Sequence, residues 1–204
     1  MNRLVKSALL CTAVGIGLLG AGAVHADIVP QIGPSDVTLQ LDGNYKWDYH
    51  GELNPAQKVV KGDFFTIYDF SGFVAGTNLQ PSDWAFSSSN TGVTPTGLLP
   101  LINIPGGIPD SPGIPNLTWT YTGSGQIAGP ADLGIFSAES AFGNETLSAF
   151  SAEATQQEGF TAESKVDNFG WTGTPAPVVP EPCTLALLGL GAAPLALRRR
   201  SRKA

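Results

Sequence analysis

The chain has 204 residues, with 11 lysines and arginines against 17 aspartates and glutamates. Most of the basic residues lie near the two ends, so the segment 27–172 holds four lysines, no arginine and sixteen carboxylates, a net charge of −12. A surface this acidic repels nucleic acid and anionic lipid, and we expect neither as a partner. The same segment has no cysteine, which excludes a disulfide framework and a thiolate metal site within it.

The first 26 residues predict a signal peptide. Arg3 and Lys6 form a positive n-region, and the run 8–24 is apolar and uncharged. Val24 and Ala26 then provide the small-x-small pattern that signal peptidase reads, so we expect the mature chain to begin at residue 27. The alternative is an uncleaved membrane anchor, because the run is nearly long enough to span a bilayer.

Residues 27–172 predict one all-β extracytoplasmic domain. The runs 37–41 and 45–49 alternate apolar and polar residues on either side of the turn at 42–44, which indicates a hairpin. Further strands are predicted at 64–70, 117–122, 133–138 and 146–154, with weaker candidates at 160–166 and 169–172. Short strands with frequent turns favour an antiparallel sandwich or barrel-like fold, although the Ala and Glu content of 146–158 would also suit a helix.

Two proline-rich segments resist assignment to regular elements. The segment 93–116 carries six prolines and a Gly-Gly pair, and we expect a long loop over one end of the sheet. In the second segment, 172–182, alternate prolines favour polyproline II, so residues 173–179 are interpreted as a stiff spacer.

The last residues form a three-part tail. Pro180, Glu181 and Pro182 precede an apolar run at 183–197, which is followed by the basic residues Arg198, Arg199 and Arg200. Fifteen helical residues rise only about 22 Å, against about 20 residues for a typical membrane span. Pro194 also opposes a straight helix. The run therefore indicates a helix that is anchored in the membrane only transiently, with the arginines on the cytoplasmic side. The alternative is an ordinary tail anchor.

This order of tripeptide, hydrophobic helix and basic stop resembles the PEP-CTERM sorting signal, here spanning 180–203. The resemblance implies that Pro180, Glu181 and Pro182 are recognised by exosortase. It also implies that the tail is removed while the protein moves to the cell surface or exopolysaccharide matrix. Cys183 departs from the family, which mostly carries Ser or Thr there. The resemblance covers only the tail and leaves the activity of the domain open.

A search for catalytic residues in the mature segment finds little. His50 is its only histidine and has no cysteine partner, and neither a Gly-x-Ser-x-Gly elbow nor a phosphate-binding glycine loop is present. Zinc would need ligands that this segment lacks. Carboxylate pairs suited to a glycosidase occur by chance in any acidic β protein. We therefore expect a domain that is not an enzyme, with an extracellular hydrolase as the most distant alternative.

Two ligand classes remain open for the domain. Asp36, Asp42, Asp48 and Asn44 cluster near the first hairpin and would offer oxygen ligands to calcium, although they lack the spacing of an EF-hand. Seven aromatic residues would stack on sugar rings if they were exposed, but their alternation favours core positions. They are Tyr45, Trp47, Tyr49, Trp84, Trp119, Tyr121 and Trp171.

The sequence thus predicts an exported bacterial protein with an all-β domain and a sorting tail. We expect a structural or adhesive role at the cell surface or in the matrix, and no resident cofactor. The alternative is a carbohydrate-binding module acting on matrix polysaccharide.

Overall fold

The computed structural model describes residues 28–159 and 162–178. The strands in chain order are β1 (Ile28–Gln31), β2 (Val37–Leu39), β3 (Tyr45–Leu53), β4 (Gln57–Val59), β5 (Phe64–Ile67), β6 (Trp84–Ser89), β7 (Asn116–Tyr121), β8 (Ile127–Ala128), β9 (Ala131–Ser140), β10 (Asn144–Gln156) and β11 (Lys165–Ala176). The predicted all-β class is confirmed. The one described helix, a 3₁₀ segment at Thr96–Leu101, is too short to cross a membrane.

The strands form two separate antiparallel sheets. In the first sheet, β3 is central: β1 and β2 lie end to end along one of its edges, and β9 pairs with the other. In the second sheet, β10 carries β11 on one edge and β5 and β4 on the other. The strands β7 and β6 continue beyond β5, and β8 continues beyond β4. The outer edges of β1 and β2 in the first sheet and of β11 in the second therefore pair with no other described strand.

One hydrophobic core joins the two sheets. Trp47 and Tyr49 of β3 and Phe136 of β9 point inward from the first sheet, and Phe65 and Trp119 point inward from the second. The ring of Phe65 stacks on Trp119 and meets Phe136 edge to face, with centroids 5.2 and 4.9 Å apart. Such geometries are the favoured ones for aromatic pairs. Alternation in the strands therefore places large rings inside, as the sequence predicts for core positions.

The proline-rich segment 93–116 covers the outer face of the second sheet; it does not close one end. Tyr68, Ile108 and Ala149 form a small second core there, with Leu98, Ile102 and Phe169 packed against it. The Thr66 hydroxyl lies 2.8 Å from that of Thr118 and donates to the Val93 carbonyl at 2.6 Å. Thr66 and Thr118 are thus buried under the loop with their hydroxyls hydrogen-bonded, which explains a threonine on this face of β7.

Several predicted elements are confirmed and others change. The hairpin of β2 and β3 is confirmed, and Thr146–Ala154 lies in β10, so the helical alternative is wrong. Of the weak candidate at 160–166, only residues 165–166 lie in a strand, and they join the candidate at 169–172 in β11, whereas residues 162–163 form a turn before it. That strand runs on to Ala176 and pairs with β10, so residues 173–176 of the predicted spacer belong to the sheet. The predicted polyproline II spacer is therefore wrong for residues 173–176, where Pro175 is accommodated because it lies on an edge strand.

Candidate functional site

Two clefts follow the exposed edge of β11, on the side where it faces β1. The first, of about 500 Å³, is called the edge groove and is lined by Val29, Leu98, Phe150, Asp167, Asn168, Phe169 and Gly170. The second, of about 390 Å³, is called the Trp171 cleft and is lined by Val29, Pro30, Gln31, Ile32, Glu145, Leu147, Trp171, Thr172 and Gly173. Between them the Thr172 hydroxyl donates to the Pro30 carbonyl at 3.1 Å. This hydrogen bond ties the two sheet edges together and separates the clefts.

A glycine in β11 opens the edge groove to the interior. Gly170 pairs with Phe150 of β10, and a Cβ atom built on Gly170 would lie only 2.6 Å from Cε1 of the Phe150 ring. The ring therefore occupies the space that any side chain at position 170 would need. The groove consequently has an aromatic surface at its base, although Phe150 itself is only 4% exposed.

Asn168 is the one amide side chain that lines the edge groove. Its side chain is 7% exposed, and the Oδ1 atom accepts no hydrogen bond among the described residues. An acceptor buried without a partner costs about 1–3 kcal/mol. Asn168 lines the edge groove, although this oxygen itself is buried.

The Trp171 cleft presents exposed apolar surface. Trp171 is 52% exposed and Leu147 of the neighbouring strand is 70% exposed. Glu145 supplies a carboxylate at the same cleft, where the missing side chain of Gly173 leaves room for it. An aromatic ring beside a carboxylate combines a stacking surface with a hydrogen-bond acceptor.

Trp171 is the outlier among the seven aromatic candidates. Trp47, Tyr49, Trp84, Trp119 and Tyr121 are at most 4% exposed, and Tyr45 is half-buried against the core. Core packing, the interpretation favoured from the sequence, is therefore confirmed for the buried five. Only Trp171, which the sequence does not distinguish from the others, offers its ring to solvent on the described surface.

The outer face of β10 and β11 holds a group of charged residues. Asp63 is fully buried and accepts hydrogen bonds from the Val60 amide at 2.9 Å and from the Thr155 hydroxyl at 3.0 Å, and Lys165 forms an ion pair with it. Lys165 also lies 3.7 Å from Glu153. These contacts fix the ends of three strands, which is a structural role.

Glu153 and Asp167 are direct neighbours across the β10–β11 ladder. Burial is the main cause that raises the pKa of Glu153; Lys165 opposes this shift, and Asp167 and Asp63 add to it. Asp167 accepts a hydrogen bond from the Gly97 amide at 3.1 Å, which holds the covering loop against β11. The pair thus combines one carboxyl with a raised pKa and one carboxylate that anchors a loop.

The hairpin residues proposed as calcium ligands each bond to partners within the protein and do not converge on one point. Asp42 accepts from the backbone and side-chain nitrogens of Asn44 at 3.1 and 2.7 Å, and Asp48 forms an ion pair with Lys46 at 2.9 Å. Asp36 accepts from the Gly33 amide and lies 3.7 Å from His50. In the described ranges, no three His, Cys, Asp or Glu side chains are arranged to hold a metal ion.

The predicted processing sites lie outside the described residues. These are the signal peptidase site at Val24 and Ala26, the tripeptide Pro180, Glu181 and Pro182, Cys183, and the basic stop at Arg198, Arg199 and Arg200. They remain expectations from the sequence.

Comparison of the chain with protein-family models, with curated proteins and with solved structures finds no match.

Proposed function

We propose that the chain is an exported bacterial surface or exopolysaccharide-matrix protein whose two-sheet domain has an adhesive or structural role. The observation that carries the adhesive part is the pair of clefts along the edge of β11. They offer aromatic rings and aliphatic walls beside a strand edge, which are groups through which proteins hold extended ligands. The export part rests on the signal peptide and on the PEP-CTERM-like tail.

Export and sorting are tested by changing the tripeptide. Replacing Glu181 and Pro182 with alanine should leave the unprocessed protein in the inner membrane, with exosortase unable to act on it. Pro177→Ala, in the spacer and outside the tripeptide, is the matched control and should be processed like the wild type. Release and trimming of the Glu181→Ala/Pro182→Ala variant at the wild-type rate would refute the sorting proposal.

Adhesion is tested by the fraction of exported protein that stays with the cell surface or matrix after washing. Trp171→Ala and Leu147→Ser remove exposed apolar surface from the Trp171 cleft, and both should lower that fraction. Leu41→Ser, at a fully exposed leucine on the distant hairpin, is the control. An equal loss for all three variants would argue against a specific adhesive surface.

Carbohydrate binding is the second candidate function, and the exposure of Trp171 favours it. The other tryptophans are buried, so a change in tryptophan fluorescence on adding polysaccharide would report chiefly on Trp171. A saturable change that disappears in Trp171→Phe would support a carbohydrate-binding module. Hydrolysis of the polysaccharide would instead support the alternative that the protein is an extracellular hydrolase.

A further inference from the structure

The outer edge of β11 has unpaired backbone groups. The Gln156 amide donates to the Ser164 carbonyl at 2.9 Å, which shows that even-numbered positions in this ladder bond to β10. The N–H and C=O groups at odd-numbered positions of β11 therefore point away from β10. Among the described residues, no strand pairs with that second edge.

Two contacts confirm this alternation. The carbonyl of Gly173, at an odd position, points away from β10 and accepts a 2.8 Å hydrogen bond from the Tyr49 hydroxyl. Pro175, which has no N–H to donate, also lies at an odd position and so loses no bond to β10. Near the end of β11, Tyr49 satisfies the outward carbonyl of Gly173, and Pro175 has no outward N–H. The N–H and C=O groups of Asp167 and Phe169 point away from β10.

The edge groove lies beside those outward groups. Val29 from the edge of β1 forms one wall, and Leu98 from the covering loop forms the other. A strand added to a sheet lies about 4.8 Å from its neighbour and rises about 3.3 Å per residue. A single extended segment of about four residues therefore matches a groove that runs from Asp167 to Gly170. The walls on both sides favour one isolated strand over the full sheet edge of a second folded copy.

The charges around the edge groove indicate which kind of peptide segment it would bind. Asp167 lies in the groove, and the lining contains no lysine or arginine. The segment 27–172 as a whole carries a net charge of −12. Positive charge, donors and small apolar side chains complement this surface.

We propose that the edge groove binds an extended basic peptide segment of another protein, which adds to the second sheet as a further strand beside β11. Backbone hydrogen bonds to Asp167 and Phe169 hold the segment, and a lysine or arginine side chain of the segment pairs with Asp167. This inference rests on the proposed adhesive function and names the chemistry of the partner.

The test measures binding of labelled peptides to the purified exported protein by fluorescence anisotropy. The probe is an alternating Val-Lys peptide, compared with a Val-Glu peptide of equal length and with a Val-Lys peptide N-methylated at alternate amides. The Val-Lys peptide should bind and the Val-Glu peptide should not. N-methylation should weaken binding roughly tenfold or more, because it blocks the edge hydrogen bonds and keeps the side chains. Equal binding of the methylated peptide would overturn the proposal.

A matched pair of variants tests the same contact from the protein side. Phe169→Pro removes the outward N–H and leaves the ladder with β10 intact, whereas Phe169→Ala removes the ring and keeps the N–H. The proline variant should lose binding roughly tenfold relative to the alanine variant. Equal affinity of the two variants would contradict strand addition. If Phe169→Pro fails to fold, hydrogen exchange on the wild type decides: the peptide should protect the amides of Asp167 and Phe169, and unchanged exchange would refute the proposal.

The outcomes separate this inference from the proposed function. Correct export without peptide binding would refute strand addition alone, and saturable displacement of the peptide by polysaccharide would assign the groove to a glycan instead. A chain that binds the peptide when purified but is retained inside the cell would refute the export proposal and leave the groove's specificity in place.

Discussion

The hydroxyl of Tyr49 donates a 2.8 Å hydrogen bond to the carbonyl oxygen of Gly173, and so joins β3 of one sheet to β11 of the other. Tyr49 is fully buried, and burial raises the pKa of its hydroxyl well above the ordinary value, with the charge of Glu145 adding to the shift. The hydroxyl therefore stays protonated and continues to donate across the pH range in which proteins are handled.

We predict that Tyr49→Phe lowers the free energy of unfolding by about 1–3 kcal/mol, because the variant leaves the Gly173 carbonyl buried without a donor. Tyr45→Phe, which removes a hydroxyl from a half-buried ring on the same strand, should cost about 0.5 kcal/mol or less. Urea denaturation of the two variants measures the difference. Equal losses would mean that the hydrogen bond between the sheets contributes nothing specific.

The contact between Tyr68 and the covering loop gives a second prediction. The Tyr68 hydroxyl lies 2.5 Å from that of Thr94 and 2.9 Å from that of Ser151. We expect Tyr68→Phe to release the loop, so that amides in 93–110 exchange faster in hydrogen-exchange mass spectrometry. Thr94→Ala removes only one partner and should have a smaller effect. A variant that loses global stability while the loop amides keep their relative protection would contradict this role.

The raised pKa of Glu153 gives a prediction for the pH dependence of stability. The Glu153 carboxyl binds its proton more tightly in the folded protein than in the unfolded chain. Its contribution to stability is therefore present at low pH and is lost as pH rises through the folded-state pKa. The difference in free energy of unfolding between the wild type and Glu153→Gln should therefore fall as pH rises above about 4 and through the raised pKa of Glu153. Chemical denaturation across that range measures it, with Glu158→Gln as a control at an exposed carboxylate. A difference that grew with pH would show that the ion pair with Lys165 outweighs burial.

The ion pair beneath β11 gives a fourth prediction. Lys165→Met leaves the fully buried carboxylate of Asp63 without its cation and should destabilise the fold by about 2 kcal/mol. This figure is below the usual cost of breaking a buried pair, because Lys165 is 44% exposed. Lys61→Met, at an exposed lysine two residues from Asp63, should change stability by about 0.5 kcal/mol or less. Thermal melts of both variants would show whether the buried partner makes the difference.

The sequence predicts the strands whose two faces differ in polarity. β7 alternates large apolar residues with threonines because one face meets the core and the other meets the loop. Four strands are missed for physical reasons. β1 contains Pro30, β6 is rich in serine, and β4 and β8 have only three and two residues. β11 is predicted in fragments because Asp167 and Asn168 interrupt its apolar pattern.

The residues that interrupt the pattern, Asp167 and Asn168, line the edge groove, but their polarity alone does not reveal a site. Gly170 gives its space to the Phe150 ring, a contact across the ladder that the sequence does not show. Val29 and Leu98 come from segments far apart in the chain, so no local motif connects them. Trp171 is visible in the sequence, but its exposure depends on its position in β11.

The hydrogen bond between Thr172 and Pro30 joins residues 142 positions apart, in the first and last strands described. A chain exported from its N-terminus would present β1 outside the membrane long before β11 emerged. The domain would then close only when β11 arrived, with Ala176 four residues ahead of Pro180. Completion of the fold would coincide with delivery of the tripeptide to the membrane, so a sorting enzyme acting there would meet a substrate that has just finished folding.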